Sequence, residues 1–229
     1  MSIVSLHDAT IAHRTCEGTR ILLDHITFCL EAKQRIAIYA PNGSGKTSLL
    51  RALTGLDPLF SGTLCFHEKP VRSDADLKQL RLGLGFVIQD ARDQLFFPTV
   101  LEDVVFGPLN LGMAPKEAHE RAHAVLASLG IASLHDRQTH HLSGGEVRLV
   151  ALAGILAMNP EALLLDEPTT ALDAQATTRL TALLTKLDKP SITVSHDISF
   201  LRTVCDTFYT IADKDLVSMD PGQNGVGTH

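Results

Sequence analysis

Arg35-Ile36-Ala37-Ile38-Tyr39-Ala40-Pro41-Asn42-Gly43-Ser44-Gly45-Lys46-Thr47 decides how the rest of the chain is read. Its first five residues form a short apolar run suited to a buried strand. The Gly-rich stretch Ala40 to Thr47 follows at once, and a helix is expected from about Gly45 to Leu56. Strand, glycine turn and helix start together make a phosphate loop. Gly43 and Gly45 let the backbone curl so that its N–H groups face an anion, and the helix N-terminus adds its positive dipole end. Asn42, Ser44 and Ser48 flank the same turn. Lys46 suits the β- and γ-phosphates of a nucleotide, and the Thr47 hydroxyl suits Mg²⁺. Ala40 stands where the pattern has its first glycine. An alanine there is strained if the position requires a positive φ and harmless otherwise.

Outward from this loop, strands and helices alternate. Leu84 to Ile88 reads as a strand, as do Ala162 to Leu165 and Ser191 to Val194. None of the three alternates polar with apolar, the pattern of strands buried on both faces of a parallel sheet. Pro115 fits the first position of a helix whose apolar residues Ala118, Ala122, Val125, Leu126 and Leu129 keep a 3.6-residue period, with Gly130 as its stop. A second apolar helix starts after Gly145 and stops near Asn159-Pro160. Leu180, Leu183, Leu184 and Leu187 mark one face of a third.

Polar residues collect where these strands end. Asp166 and Glu167 close an apolar strand. The first carboxylate can hold Mg²⁺ through water, and the second can orient or activate an attacking water. His196 lies just past Val194, where it could touch a γ-phosphate. Gln89 lies just past Ile88, where it could reach Mg²⁺ and that water. Leu142-Ser143-Gly144-Gly145-Glu146 opens the apolar helix and makes a second bare helix start able to hold phosphate. It lies about 100 residues after the first, far for one small site. Two such starts make sense if one copy's loop and another copy's Ser143, Gly144 and Gly145 enclose the same ATP.

Composition narrows the classes. The chain has 229 residues, 45% hydrophobic and 20% charged, with a formal net charge of −6, which fits an ordinary globular α/β domain. No Lys or Arg stripe is present, which argues against nucleic acid as partner. Cys16, Cys29, Cys65 and Cys205 form no CxxC pair, so neither a zinc site nor a disulfide framework is indicated. No signal-peptide pattern opens the sequence. The longest apolar stretch, Leu149 to Met158, is about half of a bilayer span. A chain soluble by itself is expected, with any membrane role through a partner.

The set of phosphate loop, Gln89, Leu142 to Glu146, Asp166-Glu167, Ala171-Leu172-Asp173 and His196, in this order, resembles the ABC transporter ATPase family over essentially the whole chain. The resemblance implies an α/β P-loop NTPase (RecA-like) core with a mainly parallel sheet, an N-terminal antiparallel β subdomain and an inserted helical subdomain. It places the core at about 1–89 and 159–220, the helical part at about 90–158 and a loose tail at 221–229. It also implies ATP and Mg²⁺ as ligands, Asp173 at a dimer interface, and adenine stacked at the position of His13. Glu146 replaces the family's usual Gln, a change expected to matter little. Asp93 to Val100, Glu102 to Val104 and Phe106 to Gly112 are similar to ATPases of energy-coupling-factor importers, above all those for cobalt and nickel, with biotin and other vitamins as alternatives. That similarity implies docking on a transmembrane coupling protein, with a separate substrate-binding membrane component, at the cytoplasmic face. Two other readings have less support: a soluble ABC protein of DNA repair or translation, and a nucleotide-binding regulator without hydrolysis. His119 and His123, four apart, and the neighbours His140 and His141 read as surface histidines rather than metal ligands.

Overall fold

Two fourteen-residue strands, β1 (Ser2–Thr15) and β2 (Gly18–Glu31), open the chain as an antiparallel pair. After them come β3 (Arg35–Ile38), α1 (Lys46–Leu53), β4 (Ser61–Phe66), β5 (Lys69–Pro70) and α2 (Asp74–Gly83). Next are β6 (Leu84–Val87), α3 (Val100–Asn110), α4 (Pro115–Ser128), α5 (Gly144–Ala157), β7 (Ala162–Asp166) and α6 (Ala174–Lys186). The last elements are β8 (Ser191–Val194), α7 (Ile198–Val204), β9 (Thr207–Ala212) and β10 (Asp215–Ser218). This computed structural model describes residues 1–16 and 18–222. They group into two units, residues 1–81 with those from 189 onward, and residues 82–188.

In the first unit, β1, β2, β4 and β5 form an antiparallel sheet in the order β2-β1-β4-β5. Its inward face is made by Val4, Leu6, Ile11, Leu23, Ile26 and Leu30, all at most 2% exposed. The β1–β2 register shifts between Leu6 and Ala9. Asp8 and His25 there adopt positive φ values of 48° and 51°, and their side chains pair at 2.7 Å. Such a bulge interrupts the strict alternation that would announce a strand. At this bulge Gly62 of β4 passes so close that a Cβ on it would lie 2.3 Å from the Asp8 carbonyl oxygen, and its φ is +90°. Gly62→Ala is therefore expected to cost about 2 kcal/mol or more, read as a lower urea midpoint. An unchanged midpoint contradicts this packing.

The same unit holds a parallel set in which β3 runs between β8 and β9, with Ile38 opposite Val194 and Tyr209. Ile36, Ala37 and Ile38 are fully buried, as expected of a strand covered on both faces. The helix expected to reach Leu56 stops at Leu53. The Thr54 hydroxyl donates back to the Leu50 and Arg51 carbonyls, and Gly55 turns left-handed at φ 64°, a common helix stop.

In the second unit β6 and β7 pair in parallel, Val87 opposite Leu165. The expected strand to Ile88 ends one residue early because the Gln94 side chain takes over the ladder. Its Oε1 accepts the Ile88 N–H at 3.1 Å and its Nε2 donates to the Phe86 carbonyl at 2.9 Å. In α4, Pro115 occupies the first turn, Ala118, Ala122 and Leu126 are buried, and Gly130 follows the last turn at φ 70°, as the spacing predicts. In α5, Val147 through Ala153 are all buried. The parallel strands and the antiparallel sheet agree with the expected fold class. β6, β7 and α6 group with α3, α4 and α5 in the second unit. Of the expected loose tail, residues 223–229 lie outside the described residues.

Candidate functional site

In the first unit the phosphate loop leaves the C-terminal end of β3 and enters α1 with Gly45 as its cap, at φ 104° and ψ 7°. Gly43 is also left-handed, at φ 76°. These are the two positions at which the loop needs glycine. A side chain at 45 would in addition press on Leu22 Cβ at 3.3 Å. Ala40 keeps a negative φ, so its methyl is unstrained and the departure from the pattern is harmless to the backbone. Lys46 is 7% exposed and donates to the carbonyls of Ala40 at 2.8 Å and Pro41 at 2.9 Å. The ammonium is thus pinned across the loop. The Ser44 hydroxyl is buried with no hydrogen-bond partner among the described residues. An orphaned donor between two left-handed glycines suits an anionic oxygen. Ala40→Gly should leave ATP affinity unchanged and lower stability by about 0.4–1 kcal/mol through the unfolded chain. Titration with a fluorescent nucleotide and urea unfolding check both parts.

Asn42, Gly43 and Thr47 are exposed on this loop. Ser48 lies in the first turn of α1, and its hydroxyl meets His13 Nε2 at 3.0 Å. His13 therefore sits on β1 beside the loop helix, an exposed ring near the Asp57 carboxylate, which its pairing with Arg51 holds below the ordinary range. His196 follows β8 by two residues and is also exposed. Since β3 and β8 are parallel neighbours, the phosphate loop and His196 leave adjacent strands at the same end, where ligands of parallel sheets bind. A cleft of about 550 Å³ opens beside Gly43 and Ser44 and is walled by residues 19–22 with Ile211, Asp213 and Lys214.

In the second unit Gln89 and Glu167 each lie two residues past the paired ends of β6 and β7. Asp166 is 1% and Glu167 6% exposed. Glu167 has φ 50°, a left-handed backbone that a non-glycine residue holds only when its surroundings fix it. The fixing group is Arg148 of α5, which the sequence reading missed. Its guanidinium donates to the Glu167 carbonyl and to the Gln89 carbonyl at 2.7 Å. Burial pulls the guanidinium below its ordinary pKa, while Asp90, Glu167 and Asp166 oppose that shift. A signal for it was present: Arg148 is the only charge between Glu146 and Glu161 in an otherwise apolar run.

Ser143 caps α5. Its hydroxyl accepts the Glu146 N–H at 3.3 Å, and the Glu146 carboxylate accepts the Ser143 N–H at 2.7 Å, a reciprocal capping box. Glu146 also pairs with Arg137 at 2.8 Å. The Ser143 N–H, helped by this pairing, holds its pKa below the ordinary value. Gln could make the same box, so the Glu has a structural place here. Gly145 is packed on the next functional segment, since a Cβ there would stand 3.3 Å from the Ala171 carbonyl oxygen. Asp173 accepts the Ala176 N–H at 2.7 Å and so caps α6.

The histidines singled out by their spacing make local contacts. His119 Nδ1 lies 2.7 Å from the Pro115 carbonyl, His123 stacks edgewise on His135, and His140 tilts against His141. Among the described residues no group of three or more His, Cys, Asp or Glu side chains gathers as a metal site.

A glycine loop with a pinned lysine, an acidic strand end and a second capped helix start define a nucleotide-hydrolysing class of protein. Residues 23–170 match the family described as ABC transporter, and the chain belongs to that family as one of its ATPases. It is 46% identical to a putative ABC transporter ATP-binding protein of Nitratidesulfovibrio vulgaris over 92% of this chain and 77% of the relative. It is 45% identical to the cobalt import ATP-binding protein CbiO of Rhodobacter capsulatus over 80% of this chain and 67% of that one. It is 39% identical to the energy-coupling factor transporter ATP-binding protein EcfA of Methanothermobacter thermautotrophicus over 94% and 70%. Among solved structures, cbiO1 of Clostridium perfringens, part of the complex cbiONQ, superposes with a TM-score of 0.82 at 31% identity, covering 96% of this chain and 89% of that one. A dimeric post-hydrolysis state of the ATP-binding cassette MJ0796 with ADP and Pi superposes with a TM-score of 0.86 at 27% identity, covering 96% and 99%.

Proposed function

We propose that two copies of this chain close around two ATP molecules and thereby drive an importer of the energy-coupling-factor type, with cobalt or nickel as cargo. The observation that carries the shared site is the presence of two helix starts fit for phosphate in one chain, at Gly45 and at Ser143. Asn42 to Ser48 and Lys46 hold the phosphates of one ATP, and Ser143, Gly144 and Gly145 of the second copy close over it. His13 packs on the adenine, and Asp173 links the two sites across the dimer. Glu167 orients or deprotonates the attacking water, and His196 contacts the γ-phosphate. Thr47, Gln89 and Asp166 offer hydroxyl, amide and carboxylate oxygens, the hard donors that suit Mg²⁺. The ion, when bound there, supplies charge neutralisation on the phosphates. The chain's own work is positioning and charge stabilisation, as in other phosphoryl transfers.

Docking on the coupling protein is assigned to the segment after Gln89. Phe96 is 77% exposed, and Phe106, Leu109 and Leu111, along α3 and at its end, are exposed as well. The Asp103 carboxylate holds this edge by accepting the Phe96 and Phe97 N–H groups, each at 3.2 Å. Among the described residues no helix is long and apolar enough to cross a membrane; attachment at the cytoplasmic face is assigned to docking on this partner. The importer reading is supported by the relatives named for cobalt import and for energy coupling. Purification of the tagged chain from its native membranes tests it. Recovery of a polytopic membrane protein and of cobalt or nickel is expected, with loss of both in Phe96→Asp. A retained vitamin supports the alternative cargo. Recovery without membrane proteins, with ATPase stimulated by nucleic acid, supports a soluble role instead.

A further inference from the structure

The mechanism above leaves one buried charge unused. Arg148 is 6% exposed, five residues into α5 from its Ser143 cap, which is about 7.5 Å along the axis. Its planar fork reaches two main-chain oxygens, those of Glu167 and Gln89. Its Nε–H meets no acceptor among the described residues. The Glu167 carbonyl also accepts the Thr170 N–H at 3.2 Å, so the peptide after the left-handed Glu167 is gripped from both sides.

We propose that Arg148 is a positioning residue for ATP hydrolysis: it locks the peptides after Glu167 and Gln89 to the first turns of α5, so that the aim of the Glu167 carboxylate follows the helix start formed by Ser143, Gly144 and Gly145. A carbonyl fixes the peptide plane, and the plane, with φ at 50°, fixes where the side chain leaves the backbone. Phosphate engaged at the α5 N-terminus then acts on the same short rigid segment that carries Arg148. A guanidinium suits this grip because its donors diverge in one rigid plane toward the two carbonyls, whereas an ammonium is a compact charge on a flexible stem and leaves the two peptides less firmly fixed. The inference rests on the reading of Glu167 as the group that handles the attacking water.

The test uses the purified full chain and compares Arg148→Met, which keeps similar bulk without donors, with Arg148→Lys. Misplacing a reacting group by a fraction of its reach is expected to lower kcat for ATP by about tenfold to a hundredfold in Arg148→Met. The nucleotide dissociation constant should stay within about twofold of the parent, as for an interaction used in the transition state alone, and Arg148→Lys should lie between. In single-turnover hydrolysis, adding Arg148→Met to Glu167→Gln should cause no further fall, because the group it positions is gone. An equal fall in both backgrounds, or a raised KM at constant kcat, overturns the proposal. Should Arg148→Met fail to bind nucleotide, Arg148→Lys with and without Glu167→Gln carries the same comparison. Full hydrolysis by Glu167→Gln alone instead removes the reading of Glu167 and is seen before any Arg148 variant is measured.

Discussion

In Glu167→Gln, steady-state ATP hydrolysis is expected to fall by about a hundredfold to ten-thousandfold, the usual contribution of a positioned general base, while ATP binding stays intact. Glutamine has the shape of glutamate and can occupy the same left-handed backbone. The grip of Arg148 is on the carbonyl oxygen of residue 167, which the substitution does not alter. What disappears is the negative charge of a group 6% exposed, and with it the means to draw a proton from water. The variant should accumulate as an ATP-bound dimer, seen as a doubling of mass in light scattering when ATP is added. Turnover at the parental rate would remove Glu167 from the mechanism.

Lys46→Ala is expected to act at the opposite stage, on binding. The ammonium is pinned by the Ala40 and Pro41 carbonyls, so its entropy of ordering is already met before a phosphate arrives. A charge-assisted hydrogen bond of this kind contributes about 1.5–3 kcal/mol, so ATP should bind roughly tenfold to over a hundredfold more weakly. Turnover should become undetectable, because the proposed mechanism uses the same charge to stabilise the transferred phosphoryl group. Isothermal titration of ATP into the variant measures the first effect. An unchanged dissociation constant would show that the lysine does not meet the phosphates.

The contrast between these two groups shows what the sequence displays and what it hides. Lys46 sits in a motif whose backbone demands are local: Gly43 and Gly45 are glycines because their φ values are 76° and 104°, and the run from Arg35 to Thr47 carries that information in thirteen consecutive residues. Ala40 was open in the sequence because φ is not written there; its negative φ closes the question. Glu167 was legible as an acid at a strand end, but its left-handed backbone was not, because the fixing residue comes from α5. Long-range hydrogen bonds from a side chain to distant carbonyls leave no periodic trace, and Arg148 showed only as a charge where apolar residues were due. The same limit explains β6, cut short by the Gln94 side chain, and the bulge in the β1–β2 pair, where Asp8 of β1 and His25 of β2 break the alternation. Ser48 belongs to the loop by position, while the partner of its hydroxyl, His13, lies thirty-five residues earlier and is invisible to a local reading.

The shared site is most directly tested by mixing two inactive variants. Lys46→Ala removes the phosphate lysine and leaves Ser143, Gly144 and Gly145 intact. Gly145→Asp places a carboxylate at the start of α5, against the Ala171 carbonyl, and leaves the phosphate loop intact. Each alone should be inactive. In an equal mixture, unlike pairs carry one complete site each, and ATPase activity should return to roughly a quarter of the parental value. A mixture as inactive as its components would contradict a site built from two copies.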